Sequence, residues 1–375
     1  MTVRDVIAAL DDWAPPGLAQ SYDNTGLQVG DPGTLVTGGL VALDLTHAVL
    51  DEANARGANL VVTHHPLLFK PLRRLAPGPG PSGLAYRLAA EGVAHVAVHT
   101  NLDAIRGGVS FALAEQLGLE DLRSLQPLEG ALLKLVTFVP ASHEAAVRDA
   151  LGEAGAGRIG RYRDCAFGVR GTGTFRPGED ARPFTGTAPG ALETADEVRL
   201  ETVVERARLA GVLRALHAAH PYEEVAYDLV PVEQASTQAG LGAVGELAET
   251  ETGEAFLRRV CARLGEPAVR FAGDLGRPVR RVAVCGGSGS DLLADALRAG
   301  ADAYVTADVT YHRFFEAEAA RGAPALLYVD AIHYATERCA EDLLLRFLSA
   351  GFPEAAWART ETRTSPVAVF VPGER

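Results

Sequence analysis

The chain has 375 residues, 47% of them hydrophobic and 22% charged, with a formal net charge of −13 and an isoelectric point near 5.3. That length exceeds an ordinary single domain and points to two or three, each apolar enough to bury a core. The acidic balance argues against a large nucleic-acid footprint, which needs a basic surface, and no apolar run nears the ~20 residues of a membrane span.

The opening segment, Met1 to Asp12, reads as an amphipathic helix broken by acids rather than as a signal peptide. Leu35 to Leu45 is β-rich, Thr46 caps a helix to about Arg56, and Asn59 to Thr63 is an apolar run of buried-strand type. The Pro/Gly stretch Ala76 to Ser82 predicts a surface loop, with Ser82 as N-cap of a helix to about Glu91. A strand at Val93 to His99 and a helix at Gly107 to Leu117 follow. This alternation implies a partly parallel sheet covered by helices.

Around Pro127 the texture changes. A strand (Leu132 to Val139), a helix opened by Ser142 and running to Leu151, and a turn-rich β region through about Phe184 come first. A strand at Glu197 to Val203, a helix at Ala207 to Ala219 and a strand at Val225 to Val230 complete a β-α-β … β-α-β order that resembles a ferredoxin-like unit. The expected organisation is α/β: sections 1–127 and 236–375 form one metal-binding core, and 128–235 is an inserted α+β domain. In the last section the expected elements are a strand at Arg280 to Cys285, a loop at Gly286 to Ser290, a helix to Ala299, a strand at Ala303 to Ala307, a helix at His312 to Arg321 and a strand at Ala325 to Val329. A helix carrying His333 and Glu337 follows. Cys165, Cys261, Cys285 and Cys339 form no CxxC, which suits a reducing compartment, and the reading is a soluble, cytoplasmic protein.

Two ligand clusters stand out. His64 and His65 end the first apolar run, with Asp103 beyond the next strand; His333 and Glu337 are i, i+4 and share one helix face. Imidazoles mixed with carboxylates suit Zn, Mn, Fe or Co better than Ca or Mg. Adjacent residues of extended chain diverge, so His64 and His65 are expected to serve two neighbouring ions rather than chelate one. Taken singly, each residue also has a bland explanation: a hydrogen-bonded strand-end histidine, a surface pair, a loop aspartate. Their joint fall at strand C-terminal edges, where open α/β sheets bind ligands, favours a site.

The segments Tyr22-Asp-Asn-Thr-Gly-Leu-Gln-Val-Gly30, Thr63-His-His-Pro, His99-Thr-Asn-Leu-Asp103, Gly286-Gly-Ser-Gly289, Ala307-Asp-Val-Thr-Tyr-His312 and Asp330-Ala-Ile-His-Tyr-Ala-Thr-Glu337 together resemble the family of GTP cyclohydrolase 1 type 2 homologues, the Nif-three-like group, in family order. The resemblance implies two divalent ions per subunit: His65 and Asp103 hold one, His64 and His333 the other, and Glu337 bridges. It further implies a homohexamer built as a trimer of dimers, and the insert looks like the PII/CutA-like domain of longer members. Two positions depart from the family: Ile332 stands where Gly is usual before the third histidine, and Ala307 where Gly precedes Asp308. Glycine lets backbone approach a ligand closely, so both departures are expected to narrow the pocket.

The expected activity is metal-dependent hydrolysis of a nucleotide or related small molecule, GTP cyclohydrolase-like ring opening included; the alternative is a non-enzymatic metal- or ligand-binding scaffold. Asp308, His312 and His99 are candidates for acid/base or ligand-orienting roles, although Asp308 and His312 read equally as a helix cap and a surface histidine. Gly286 to Ser290 is either a phosphate-binding turn or a tight structural one, and it lacks the lysine of a P-loop. His220 reads as a structural corner and Cys285 as buried, and no GxSxG elbow is present.

Overall fold

The computed structural model describes residues 1–186, 190–319 and 326–372. The chain divides into two compact units, one of 1–126 with 239–375 and the other of 127–238. The expected C-terminal end of the 312–321 helix and the start of the 325–329 strand fall outside the described residues.

The larger unit holds two sheets of mixed direction. In the first, the order is Gly26–Val29, Ala94–Ala97, Leu60–Thr63, Gly39–Ala42, Trp357–Arg359; all neighbours are parallel except Gly26–Val29. In the second, the order is Arg270–Ala272, Leu327–Asp330, Ala303–Ala307, Pro278–Ser288, Gly240–Thr252, Leu119–Pro127, with a parallel centre and antiparallel flanks at Arg270–Ala272 and Gly240–Thr252. The central parallel strands Gly39–Ala42, Leu60–Thr63, Ala94–Ala97, Ala303–Ala307 and Leu327–Asp330 are buried at every residue. Coverage on both faces makes their sequences continuous apolar runs instead of alternating ones.

The two sections interleave. Helix Cys339–Gly351 sends Leu344 and Leu348 into the first sheet's core beside Val41, Leu60 and Val62, and Trp357–Arg359 is that sheet's last strand. Conversely, Phe111, Leu113 and Leu117 of helix Val109–Leu117 pack with Val260, Val282 and Val305 of the second core. A buried carboxylate reinforces the exchange: Glu341 accepts the Leu43 amide at 3.0 Å.

Local capping chemistry met expectation at Thr46, whose side chain accepts the Val49 amide at the head of helix His47–Ala55. Two serines behave otherwise. Helix Pro81–Glu91 starts after Gly80 without a side-chain cap, because Ser82 donates to the Arg74 carbonyl and fastens the loop. Ser142 bonds the His143 ring instead of capping helix Glu144–Glu153.

The smaller unit runs strand Leu132–Pro140, helix Glu144–Glu153, strands Ala166–Phe175 and Glu193–Glu205, helix Leu209–Ala219, strand Tyr227–Pro231. Its antiparallel sheet has the order Ala166–Phe175, Glu193–Glu205, Leu132–Pro140, Tyr227–Pro231. Leu135, Val139, Leu200 and Val204 bury one sheet face against Val147, Leu151, Val212 and Leu216 of the helices. Among the described residues no helix is long and apolar enough to cross a membrane, and all four cysteines are free.

Candidate metal centre

The parallel strands of both sheets deliver chemistry at their C-terminal ends. Leu60–Thr63 leads directly to His64 and His65, and Ala94–Ala97 leads to His99 and the one-turn helix Thr100–Asp103. Ala303–Ala307 ends at Asp308, and Leu327–Asp330 precedes helix His333–Glu337. One nitrogen each of His64, His65 and His99 lie within 4.8 Å of one another, as do ligand atoms of His65, His333 and Glu337. His64 and His65 follow the strand end, where the Thr63 hydroxyl donates to the His65 carbonyl at 2.6 Å. The two rings lie 5.1 Å apart, tilted by 40°.

Each imidazole is held by its Nδ1. His64 bonds the Val98 carbonyl at 2.8 Å, His65 the Asp44 carboxylate at 2.6 Å, His99 Asp23 at 2.8 Å and His333 Asp308 at 2.7 Å. A carbonyl only accepts, so His64 must donate from Nδ1; burial opposes charge on the ring and Asp103 and Glu337 favour it, and in the neutral ring Nε2 carries the lone pair that an ion would take. That Nε2 is fully buried with no hydrogen-bond partner. It lies 3.6 Å from Asp103 and 3.9 Å from Glu337, too far to bond either. A buried polar atom left open at the centre of a ligand cluster suits a bound cation.

Charge agrees. Among the described residues no Lys or Arg pairs with Asp23, Asp44, Asp103, Asp308 or Glu337, so positive charge has to come from the imidazoles or from an ion. Burial opposes charge on His65, yet Asp44 and Glu337 push its pKa up to about 10; Glu337 and Asp308 likewise raise His333 to about 9. Burial alone would raise Glu337, but His333, His64 and His65 hold it well below the usual carboxylate range. Asp103 moves upward through burial and the neighbouring Glu337 charge. The donor set fits a divalent transition ion.

Of the expected ligands, His64, His65, His333 and Glu337 converge; Asp103 stands beside His64 and outside both tight groups. Of the other candidates, His99 joins the cluster and Asp308 orients His333. His312 is exposed against Tyr311 and Phe315. Sequence reading missed Asp23 and Asp44 as orienters, since no spacing marks either one. Of the two readings of the glycine loop, the structure agrees with the tight structural turn. Gly287 has φ +61°, and a Cβ there would collide with the Glu337 carboxylate and lie 3.2 Å from His333 Nε2. The Gly287 and Gly289 amides donate to Thr336 and Thr306, so the loop makes room for Glu337 and its internal bonds occupy those two donors.

At the two departures the structure gives backbone conformation and packing. Ala307 is fully buried and has no left-handed backbone, so its methyl is accommodated. Ile332 has φ +67° and packs its side chain on the second sheet's core. Burial raises the Cys285 thiol to about 12, which leaves it a protonated, inert group.

The Duf34/NIF3 (NGG1p interacting factor 3) family model matches residues 1–366. A Halalkalibacterium halodurans protein named GTP cyclohydrolase 1 type 2 homolog is 42% identical over 310 residues, 82% of this chain and 83% of its own. A Bacillus subtilis protein of the same name is 38% identical over 347 residues, 92% of each. The crystal structure of a Bacillus cereus protein related to NIF3 superposes with a TM-score of 0.84 at 36% identity, over 99% of both chains.

Proposed function

The chain belongs to the Duf34/NIF3 family, and from that premise we propose that it is a hydrolase dependent on two divalent metal ions, acting on a nucleotide or related small molecule. The open, oriented Nε2 of buried His64 carries this reading. His64, His65, Asp103, His333 and Glu337 are the proposed ligands, with Zn, Fe, Mn or Co as the ion. When bound, such a pair supplies Lewis acidity and lowers the pKa of water.

The chain's own residues set the geometry. Glu337 faces His65 at 2.9 Å and His333 at 2.8 Å through one oxygen, with its other oxygen toward His64, so a single carboxylate spans the cluster. Asp44 and Asp308 fix the His65 and His333 rings from behind. His99, held by Asp23, has its second ring nitrogen available to accept a proton from an attacking water and return it to the leaving group. Hydrogen bonds from His99 and Thr100 outweigh burial and keep Asp23 ionised, so it stabilises an imidazolium at His99. We read the inserted unit as ferredoxin-like, of PII/CutA type, in a homohexamer, which light scattering tests against six chains of 39.4 kDa.

Elemental analysis of wild-type protein and Glu337→Ala is the direct test. Nearly two ions per subunit, a clear loss in the variant, and metal-dependent turnover in a nucleotide and phosphoester screen are expected. Absence of metal after gentle purification and reconstitution overturns the hydrolase and leaves the ligand-binding scaffold as the better reading.

A further inference from the structure

The smaller unit carries a cavity of about 500 Å³ that the proposed metal chemistry does not use. It opens on the sheet face away from the helices: Leu135, Val139 and Leu200 face the helices, and the alternating pleat turns Phe138 and Glu197 the other way. Phe138, Phe175, Phe184 and Tyr222 supply its aromatic lining, with Glu197 and Arg176 among its polar groups. A volume of this size with a few placed polar groups is that of a small-molecule site.

The His220-Pro-Tyr222 corner builds the wall. His220 Nε2 donates to the Phe138 carbonyl at 3.0 Å and its Nδ1 accepts the Tyr222 amide at 3.2 Å, locking Tyr222 against strand Leu132–Pro140. The Tyr222 hydroxyl then donates to Glu197 Oε1 at 2.8 Å. Glu197 Oε2 lies over Gly173, where any Cβ would collide with it. No Lys or Arg pairs with Glu197 among the described residues, so one neutral hydroxyl is the only hydrogen bond it receives in a wall of rings. Burial and Glu197 together raise Tyr222 to about 12, keeping it a donor. A half-buried carboxylate with spare acceptor capacity calls for an N–H donor.

We propose that this cavity binds a planar ring bearing paired N–H donors, the face that guanine or an amidine presents, stacked on its aromatic rings with the donors on Glu197. Flat rings stack on aromatic faces, and paired N–H groups match a carboxylate. Glu197, Glu223 and Glu224 outnumber Arg176 among the charged lining residues, so the ligand is neutral or cationic and phosphate is disfavoured.

The probes are guanosine, its 5′-monophosphate and benzamidine, titrated calorimetrically into the full chain, into Glu197→Gln, Phe184→Ala and Glu337→Ala. Saturable binding of guanosine or benzamidine is expected, weakened at least tenfold by Glu197→Gln and also by Phe184→Ala, with thermal melts unchanged. Glu337→Ala should bind as wild type does, which separates this site from the metal cluster whatever becomes of the hydrolase. Guanosine binding with the monophosphate weaker identifies base recognition, and benzamidine alone identifies an organic cation. No saturable binding of either probe, binding indifferent to Glu197→Gln in a folded variant, or loss only in Glu337→Ala overturns the proposal.

Discussion

Ile332 offers a test in which the usual order of two substitutions inverts. Its φ of +67° with ψ 128° is a conformation that β-branched residues reach only under constraint, at a cost of ~1–3 kcal/mol. The constraint is visible: its amide meets the Asp330 carboxylate at 3.4 Å, and its carbonyl accepts the Thr336 amide at 3.1 Å and hydroxyl at 3.2 Å. Ile332→Ala removes the packing on the second core and leaves the strain. Ile332→Gly removes both, while adding ~0.4–1 kcal/mol of unfolded-chain entropy. The glycine variant should therefore be more stable than the alanine variant by up to about 2.5 kcal/mol. Urea unfolding followed by tryptophan fluorescence reads this cleanly, because Trp13 and Trp357 both lie in the unit that carries Ile332. At unchanged slope the midpoint of Ile332→Gly should exceed that of Ile332→Ala. A midpoint of Ile332→Ala above that of Ile332→Gly refutes the strain argument.

Glu341 is 1% exposed, and its burial, the first cause, raises its pKa to about 7 despite the Leu43 amide and nearby arginines. The folded state thus holds a proton that the unfolded chain releases at lower pH, so the contribution of this group to stability is fully present below pH ~4.5 and falls by up to about 3 kcal/mol as pH rises through 7. Glu341→Gln should flatten that part of the pH–stability curve, and an unchanged slope would discount the residue. Gly287→Ala forces a methyl against the Glu337 carboxylate at φ +61°, so bound metal should drop on elemental analysis and the melting temperature should fall. Under the proposed metal reading, Asp44→Asn should weaken ion affinity ~10–100-fold in a chelator competition by loosening His65; unchanged affinity would deny Asp44 that role.

How far the sequence could be read follows from the range of the forces involved. Fully buried strands such as Asn59 to Thr63 and Ala303 to Ala307 announce themselves as apolar runs, and the i, i+4 spacing of His333 and Glu337 survives any tertiary context. Ligands placed at the ends of such strands were therefore legible. The interleaving was not, because nothing local tells helix Cys339–Gly351 to join the sheet of residues 39–63 instead of its own. The same holds for Ser82, whose hydroxyl found a carbonyl eight residues back, and for the Gly286–Gly289 loop, which answers to a carboxylate 50 residues away. Asp23 and Asp44 carry no spacing signal at all; only the fold brings them behind His99 and His65.

The interleaved core also brings the rings of the cluster together and orients them through protein acceptors. His64 and His65 come from the first sheet and His333 from the second, yet each ring is already oriented by a protein acceptor at Val98, Asp44 or Asp308. Helix His333–Glu337 is packed on two sides: Ala335 lies in the second core and Tyr334 in the first. Small metallo-domains fold only when the ion arrives; a chain of this size, with apolar cores spanning both sections, is expected to fold without one. An ion would then replace histidine protons in a preformed cage of carboxylates, so its removal should leave the far-ultraviolet dichroism intact and lower only the unfolding midpoint. Collapse of the dichroism on chelation would mean that the ion, and not the exchanged helices, holds the two sheets together.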